Sequence, residues 1–496
     1  MKFRILLSVA AIVTATGQLH AQYATDALRF SFTQPGTTAR FNSLAGAQTG
    51  VGGDLSSVNG NPAGIGLFTR SEFSITPEFN NYNANAFYLG KQTIGKKDQL
   101  NLNHAAAVWH LPFRKEKGSD LETGWISSNF GISYSKNIDF NNNLTYTGIN
   151  GVNSIADYFA ELATEKNKSP SALPSGSLQR MAYDNYLIGY DNSGKYFPET
   201  DVNNVQTRSD IRTGSQSEVS FAAGANYSNT FYVGASIGLA SINYRSDAEF
   251  REKGYNVTED NNYDLSYRQN QNTIGTGING KLGVIFRPVD ALRFGATLET
   301  PTWYTIDDSY TEVLDTKYGT TGVDSQFVND FETYDFSYKL RTPLKVTGGI
   351  GLFINKQGFI SADVDYVDYS KINFSSVDNL NSDIISDNNS EVINTYKSAV
   401  NYRLGAEYKI ANVMIRAGYG AKGSPYKKPK NSTALKTETF SGGLGYRINN
   451  YYIDIAYQNV SYNADFKPYL LADGKEPSAN VKNTKNNVFL TIGSRF

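Results

Sequence analysis

From residue 216 to the carboxy terminus, apolar side chains fall on every second position in one segment after another, joined alternately by very short turns and by long polar stretches. Val233, Ala235, Ile237 and Leu239 alternate with Gly234, Ser236 and Gly238. Tyr451, Ile453, Ile455 and Tyr457 alternate with Asp454 and Gln458. A period of two is that of a β-strand with one apolar face. A soluble sandwich alternates as well, so connection length is the discriminator. Tight turns at Asn229, Val289, Lys356, Ala411 and Asn449-Asn450 are interleaved with the polar stretches Asp247 to Gln271, Asp307 to Glu332, Ser375 to Thr395 and Lys467 to Asn483. Short turns at one end and long loops at the other are the pattern of a bacterial outer-membrane barrel.

Strands are expected near 71–82, 103–113, 127–141, 216–228, 230–246, 272–287, 290–306, 333–355, 357–374, 396–410, 412–426, 436–448, 451–466 and 484–496, about fourteen in all, an even number as such barrels have. Only the turn Arg114 to Ile126 is long for its side. The start of the chain has Lys2 and Arg4, an apolar run from Ile5 to Ala15, then small residues up to Ala21. It reads as a secretory signal cleaved after Ala21. Beyond it no apolar run is long enough for a membrane helix, so a chain entering a bilayer must do so as a closed barrel. A formal charge of −1 gives no reason to expect nucleic acid as a partner, and with no cysteine stability must come from burial and backbone pairing. Tyr82, Tyr88, Tyr134, Tyr244, Tyr304, Tyr366, Tyr369, Tyr451 and Tyr452 stand near strand ends, where interfacial belts would place them.

The fold class expected is all-β, a transmembrane antiparallel β-barrel. Residues 22–70, which lack sustained alternation, form an N-terminal plug in its lumen, and residues 71–496 form the barrel. The extracellular connection 142–215 carries two short helices. Ser154 to Asp157 resembles a capping box with Asp in place of Glu, followed by Ile155, Phe159 and Leu162 at helical spacing; a second helix begins at Ser177, with Leu178 and Met181 on one side. These five apolar residues either offer an oily landing site over the mouth or pack on the rim.

Chemistry is thin. His104 and His110 share a strand face, but no serine or acid pairs with either, so the chain is not expected to be an enzyme. The acid-rich piece Asp383 to Glu391 lacks the spacing of a calcium loop and reads as solvated loop. Gly275 to Gly280 lies within a strand and is no dinucleotide fingerprint. No cofactor and no metal are called for.

The stretch Gly46 to Gly66 is glycine-rich and ends on Asn61-Pro62-Ala63. Such a segment makes a poor helix and a poor strand, but packs closely against surrounding walls. With Arg40, Asp54 and the Asn-Pro-Ala-Gly run, it resembles the hatch of the FadL/TodX (OMPP1) family of outer-membrane transport proteins. Leu340 to Gly349, Asp365 to Lys371, Tyr402 to Tyr408 and Ile415 to Tyr419 resemble that family's later strands, in the manner of its Bacteroidota branch. Val488, Leu490, Ile492 and the terminal Phe496 resemble the carboxy-terminal assembly signal of outer-membrane proteins. The resemblance implies a plugged barrel in the cell outer membrane that passes hydrophobic small molecules, such as long-chain fatty acids, by diffusion. No energy-transducer box is seen between Gln22 and Pro35. Val51, Leu55, Ile65, Leu67 and Phe68 are expected along the ligand path. Outer-membrane lipid, the ligand and the outer-membrane assembly machinery are the implied partners. The third strand lacks the proline or glycine kink with which the family opens a side window, which leaves lateral and periplasmic exit both open. A second reading makes the chain a non-transporting barrel subunit that scaffolds a larger outer-membrane secretion or assembly complex.

Overall fold

The computed structural model describes residues 17–32, 36–116, 120–319, 325–328, 332–355, 357–377, 382–427 and 436–496. Most of the signal segment 1–21, the turn residue Lys356 and part of the turn Arg114 to Ile126 lie outside them. Fourteen antiparallel strands close into a barrel. They are β1 (Glu72–Tyr88), β2 (Lys91–Pro112), β3 (Trp125–Asp139 and Asn142–Asn150), β4 (Asn204–Tyr227), β5 (Phe231–Asn256), β6 (Asn261–Val289) and β7 (Leu292–Glu299 and Trp303–Tyr318). Then come β8 (Glu332–Arg341 and Lys345–Ile354), β9 (Gly358–Asp368 and Asn373–Ser376), β10 (Ser398–Ile410), β11 (Val413–Lys422), β12 (Thr437–Ile448), β13 (Tyr451–Phe466) and β14 (Ala479–Arg495). Each pairs with the next, and β14 returns to β1 over Arg495↔Glu72 to Asn480↔Phe87. Closure leaves no free edge, which is what lipid demands of a spanning sheet. No described helix is long and apolar enough to cross a membrane.

The pattern of burial is inverted relative to a soluble protein. Ile237, Leu239, Ile278, Leu282, Leu404, Ile453 and Ile455 are exposed on the outer face, whereas Glu218, Asp363, Arg416 and Asp454 are buried inside. Apolar side chains face outward to lipid and polar ones face the lumen, the division of a membrane barrel. The tyrosine belt is built differently from expectation. Tyr366 and Tyr451 face outward, but Tyr82, Tyr88, Tyr244, Tyr304, Tyr369 and Tyr452 are buried in the interior. Position along a strand does not decide the face; parity does, and Tyr451 and Tyr452 necessarily point opposite ways.

Three differences concern the connections. The expected long loops are largely strand: β5 and β6 pair up to Asn256↔Asn261, and β1 and β2 meet at a tight turn at Leu89 and Gly90. Above the lipid the outer face turns polar and the inner face carries the buried apolar residues Phe250, Tyr263, Leu265 and Tyr267, so the alternation continues with its phase reversed while the backbone ladder runs on. The acid-rich loop is a helix, Ser382–Thr395. Finally, β3 is irregular at 136–141, a stretch with neither proline nor glycine. Its register against β4 shifts between Lys136 and Ile138, and the strand is interrupted at 140–141. This is a β-bulge, which bends a strand by inserting a residue rather than by a special residue type.

Among the described residues five α-helices accompany the barrel, a single turn Ala39–Asn42 and four longer ones: α1 (Gly17–Ser31), α2 (Ile155–Glu165), α3 (Leu178–Asp184) and α4 (Ser382–Thr395). Ser154 caps α2 as expected, its hydroxyl accepting from Ala156 N at 3.1 Å while Asp157 accepts from Ser154 N at 2.8 Å. The Phe496 N–H donates to Ser71 O at 2.9 Å, and its side chain is exposed on the outer face side with Val488 and Ile492.

Candidate functional site

Residues 36–68 touch the inward faces of strands all round the ring and therefore sit in the lumen. The Ala39 N–H donates to Thr491 Oγ1 on β14 (2.7 Å), and Gln48 N and Thr49 N donate to Asp363 on β9 (2.9 and 3.0 Å). On the opposite wall, Asn129 on β3 donates to the Ile65 and Phe68 carbonyls (2.5 and 3.1 Å). Arg40 grips Glu407 through Nε and Nη2 (2.9 and 3.1 Å), and Glu407 also accepts from Arg416, which reaches Asp454 (both 2.6 Å). Lys281 donates to Asn59 O (2.9 Å) and pairs with Glu218 (3.0 Å). Buried charges are stable only when paired in this way.

The hatch motif residues serve its internal folding. Asp54 accepts from Thr38 Oγ1 and from Ser56 N and Oγ, ordering the turn Leu55–Val58. Asn61 donates to Thr49 O (2.8 Å) and accepts from Ala63 N (3.1 Å), starting the short helix Pro62–Leu67. Gly46 has a φ of +83°, which glycine alone adopts without strain. The wall complements this. A Cβ on Gly283 would stand 2.0 Å from Asn61 Oδ1 and one on Gly234 2.3 Å from the Pro62 carbonyl carbon, so the Asn-Pro-Ala turn lies directly on strand backbone. Ala63 is buried there.

Of the five expected ligand-path residues, Leu55, Ile65 and Phe68 pack with Val108 and Ala222, Val51 packs with Phe41, Leu44 and Phe359, and Leu67 packs against Tyr232 and Ile285. They fill the seam between hatch and wall, and none lines the cavity. The loop residues Ile155, Phe159, Leu178 and Met181 are buried and Leu162 half-buried under the cap, against Phe250, Tyr263, Leu265, Tyr267 and Tyr469. They face the rim rather than solvent. His104 is buried and His110 contacts Asn129 through Nδ1 (2.8 Å).

The cavity lies between hatch and wall, about 1250 Å³ of space bordered by Thr37, Gly46, Thr49 and Asn61 on the hatch and by strands β7 to β12. Its lining is mixed, with Phe32, Val367 and Tyr369 beside charged side chains. Arg403 makes two hydrogen bonds to Asp365 (2.7 and 2.6 Å), and Lys345 pairs with Glu299 (2.8 Å). Lys422 also lines it and has no hydrogen-bond or ion-pair partner among the described residues. The cavity thus carries one cation in excess. Sequence reasoning missed these wall residues; the available signal was their charge at inward parity on strands whose other face is apolar.

A second feature adjoins the cavity. The β2–β3 ladder runs from Pro112↔Ser127 only to His104↔Ser135, and the strands meet again where Thr93 Oγ1 donates to Thr145 O (2.5 Å) and Asn143 Nδ2 to Lys96 O (3.3 Å), so the unpaired stretch lies between, where Gly36 packs on the backbones of Asn103 and Lys136. Side chains bridge the resulting gap: Asn80 and Asn101 donate to Asp139 (2.6 and 3.4 Å), and Lys136 pairs with Glu78 and Asp139 (3.1 and 3.2 Å). Behind it passes the start of the hatch, with Asn103 donating to the carbonyl of Thr37, which also borders the cavity.

No protein-family model and no curated protein matches the chain. Among solved structures, it resembles a FadL homologue of Pseudomonas aeruginosa with a TM-score of 0.54 at 11% identity, over 94% of this chain and 99% of that one. It resembles the toluene transporter TodX of Pseudomonas putida with a TM-score of 0.55 at 12% identity, over 93% and 99%. The chain has the FadL/TodX fold. In this FadL-like barrel, as its lipid-facing belt and closed sheet require, the setting is an outer membrane.

Proposed function

We propose that this FadL-like barrel takes up hydrophobic compounds by diffusion, and that its cargo is amphiphilic, an apolar body with an acidic head such as a long-chain fatty acid. The observation that carries this reading is Lys422, without a partner among the described residues, on a cavity between hatch and wall whose lining is part apolar and part charged. A pure hydrocarbon, such as the toluene carried by the TodX channel, would leave that ammonium and its neighbours desolvated without compensation. A carboxylate would pair with it. The hatch is pinned by directional bonds all round, so the exit that disturbs least is the β2–β3 gap next to Thr37, into lipid. The bulge in β3 supplies the opening that a proline or glycine would otherwise make.

The test is uptake of labelled oleate by cells and proteoliposomes carrying the wild type, Lys422→Ala, or Asn101→Cys with Asp139→Cys closed across the gap. Saturable uptake is expected in the wild type, with half-saturation about tenfold higher for Lys422→Ala, the worth of one charge-assisted hydrogen bond. The closed pair should block it until reduced. Absence of saturable uptake in the wild type would overturn transport and favour the scaffold reading.

A further inference from the structure

The outer face of the barrel changes character across β13, β14, β1 and β2. In register on these four strands, Tyr457, Val488, Phe79 and Leu100 form one exposed apolar row. The next outward row towards the extracellular side is Asn459, Asn486, Asn81 and Asp98. Hydrogen bonds run along it in one direction: Asn459 Nδ2 donates to Asn486 Oδ1 (2.8 Å), Asn486 Nδ2 to Asn81 Oδ1 (3.3 Å), and Asn81 Nδ2 to Asp98 Oδ1 (2.6 Å). Tyr457 OH joins from below, donating to Asn486 (2.8 Å), and Asn83 Nδ2 from above, donating to Asn81 (2.6 Å).

Such a row runs against strand preference, in which Asn is disfavoured. Yet Asn83, Asn85 and Asn463 hold further outward positions just above it. Elsewhere above the lipid the outer face carries ion pairs, Arg251 and Lys253 with Asp264 (both 2.9 Å) and Arg268 with Asp315, as a solvated sheet does. Here the outward Lys96 and Lys482 are balanced by Asp98 and Asp465, so the face has no net charge to offer an ionic partner. What it offers is amide edges. Each carboxamide has two N–H donors, of which the row uses one, and the remaining donors recur about every 4.8 Å from strand to strand. Hydroxyl groups are the chemistry that pairs with such edges. Phe87 and Ile94, exposed at the upper border, add apolar surface for the C–H face of a sugar ring.

We propose that this face binds the sugar headgroup of an outer-leaflet glycolipid, whose acyl chains lie along the apolar row of Tyr457, Val488, Phe79 and Leu100 beneath. The occupant is a lipid rather than a free sugar because donors and apolar row are consecutive outward positions of the same strands, as head and tail are consecutive parts of one amphiphile. The site is on the outside of the barrel, apart from the lumen, and stands whether or not the barrel transports.

The full mature protein is reconstituted in phosphatidylcholine nanodiscs doped with increasing rough lipopolysaccharide, and the glycolipid retained is counted by native mass spectrometry. Compared with the wild type are Asn81→Val with Asn486→Val, Asn81→Asp alone, and Asn243→Val with Asn270→Val, two exposed amides on β5 and β6. Valine suits strands, so the barrel should close, and Asn81→Asp keeps the side-chain shape while removing the donors. Both variants of the amide row are expected to lower the apparent affinity about fivefold, the worth of one hydrogen bond, and the β5–β6 pair to leave it unchanged. Lipid A, which lacks the core sugars, and free core oligosaccharide should each bind more weakly than the whole glycolipid. Unchanged retention in either variant of the row, equal loss in the β5–β6 pair, or lipid A binding as tightly as rough lipopolysaccharide would overturn the proposal. So would a dimer of the chain that forms through the row in place of bound glycolipid.

Discussion

Arg40 is the charged anchor of the hatch on the wall. Its guanidinium bonds Glu407 twice and lies within 3.4 Å of Gly53 O. Arg40→Ala leaves Glu407 one cation, Arg416, so the loss is smaller than that of an orphaned buried charge. We expect a cost of about 2–3 kcal/mol to hatch docking. Hydrogen exchange should read it as faster exchange of amides in 38–66 with the barrel amides unchanged. At the other end of the molecule, Glu252 accepts from Ser154 Oγ (2.5 Å), Ile155 N (3.2 Å), Gln206 Nε2 (2.6 Å) and Tyr263 OH (2.8 Å) at the base of the extracellular cap. Burial raises its pKa above that of an ordinary glutamate. A carboxyl whose pKa is raised on folding contributes stability below its unfolded value, lost as pH rises through the raised folded value. The cap should therefore hold more firmly in mild acid than at neutral pH. Glu252→Gln should remove that pH dependence at little cost, since the hydroxyls of Ser154 and Tyr263 can turn to accept. Glu252→Ala should cost about 2–3 kcal/mol by stranding buried donors. Limited proteolysis of residues 150–200 against pH checks all three.

Among the elements, the strands and the two capped loop helices were legible in advance because each carries a local signal: period two with a lipid face, or a Ser cap before apolar residues at helical spacing. Ser154→Ala should cost α2 about 1 kcal/mol as a lost cap, and more through Glu252. The strand extensions above the membrane were not legible. Through 247–256 and 261–271 the outer face is polar and the apolar residues, Phe250, Tyr263, Leu265 and Tyr267, stand at the inward parity, so the lipid-facing signal by which the other strands were read stops although the ladder continues. Slow amide exchange through these two segments is expected, where loops would exchange rapidly. α1 escaped notice for another reason: its first residues overlap the small, polar end of the signal pattern, and its apolar face matches an aromatic lumen that only folding assembles. Tyr244 and Tyr304 looked like belt residues until parity turned them inward.

For the molecule as a whole, closure of the sheet followed from alternation and turn lengths, and the expectation of a glycine-rich head in the lumen came from the resemblance carried by the Asn61-Pro62-Ala63 run. The site did not follow, because it is an encounter between distant segments. Arg40 with Glu407, Thr49 with Asp363 and Asn59 with Lys281 are pairs that no local spacing announces. The ligand-path expectation went to the hatch's apolar residues, which the fold spends on its own seam, while the open space is walled by charge. The central claim, a lumenal pocket whose unpaired lysine receives an acidic head group, is tested most directly by determining the structure in the presence of oleate. A carboxylate within hydrogen-bond distance of Lys422 Nζ is the predicted result. A cavity that excludes oleate at saturating concentration, with Lys422 facing only water, would contradict it.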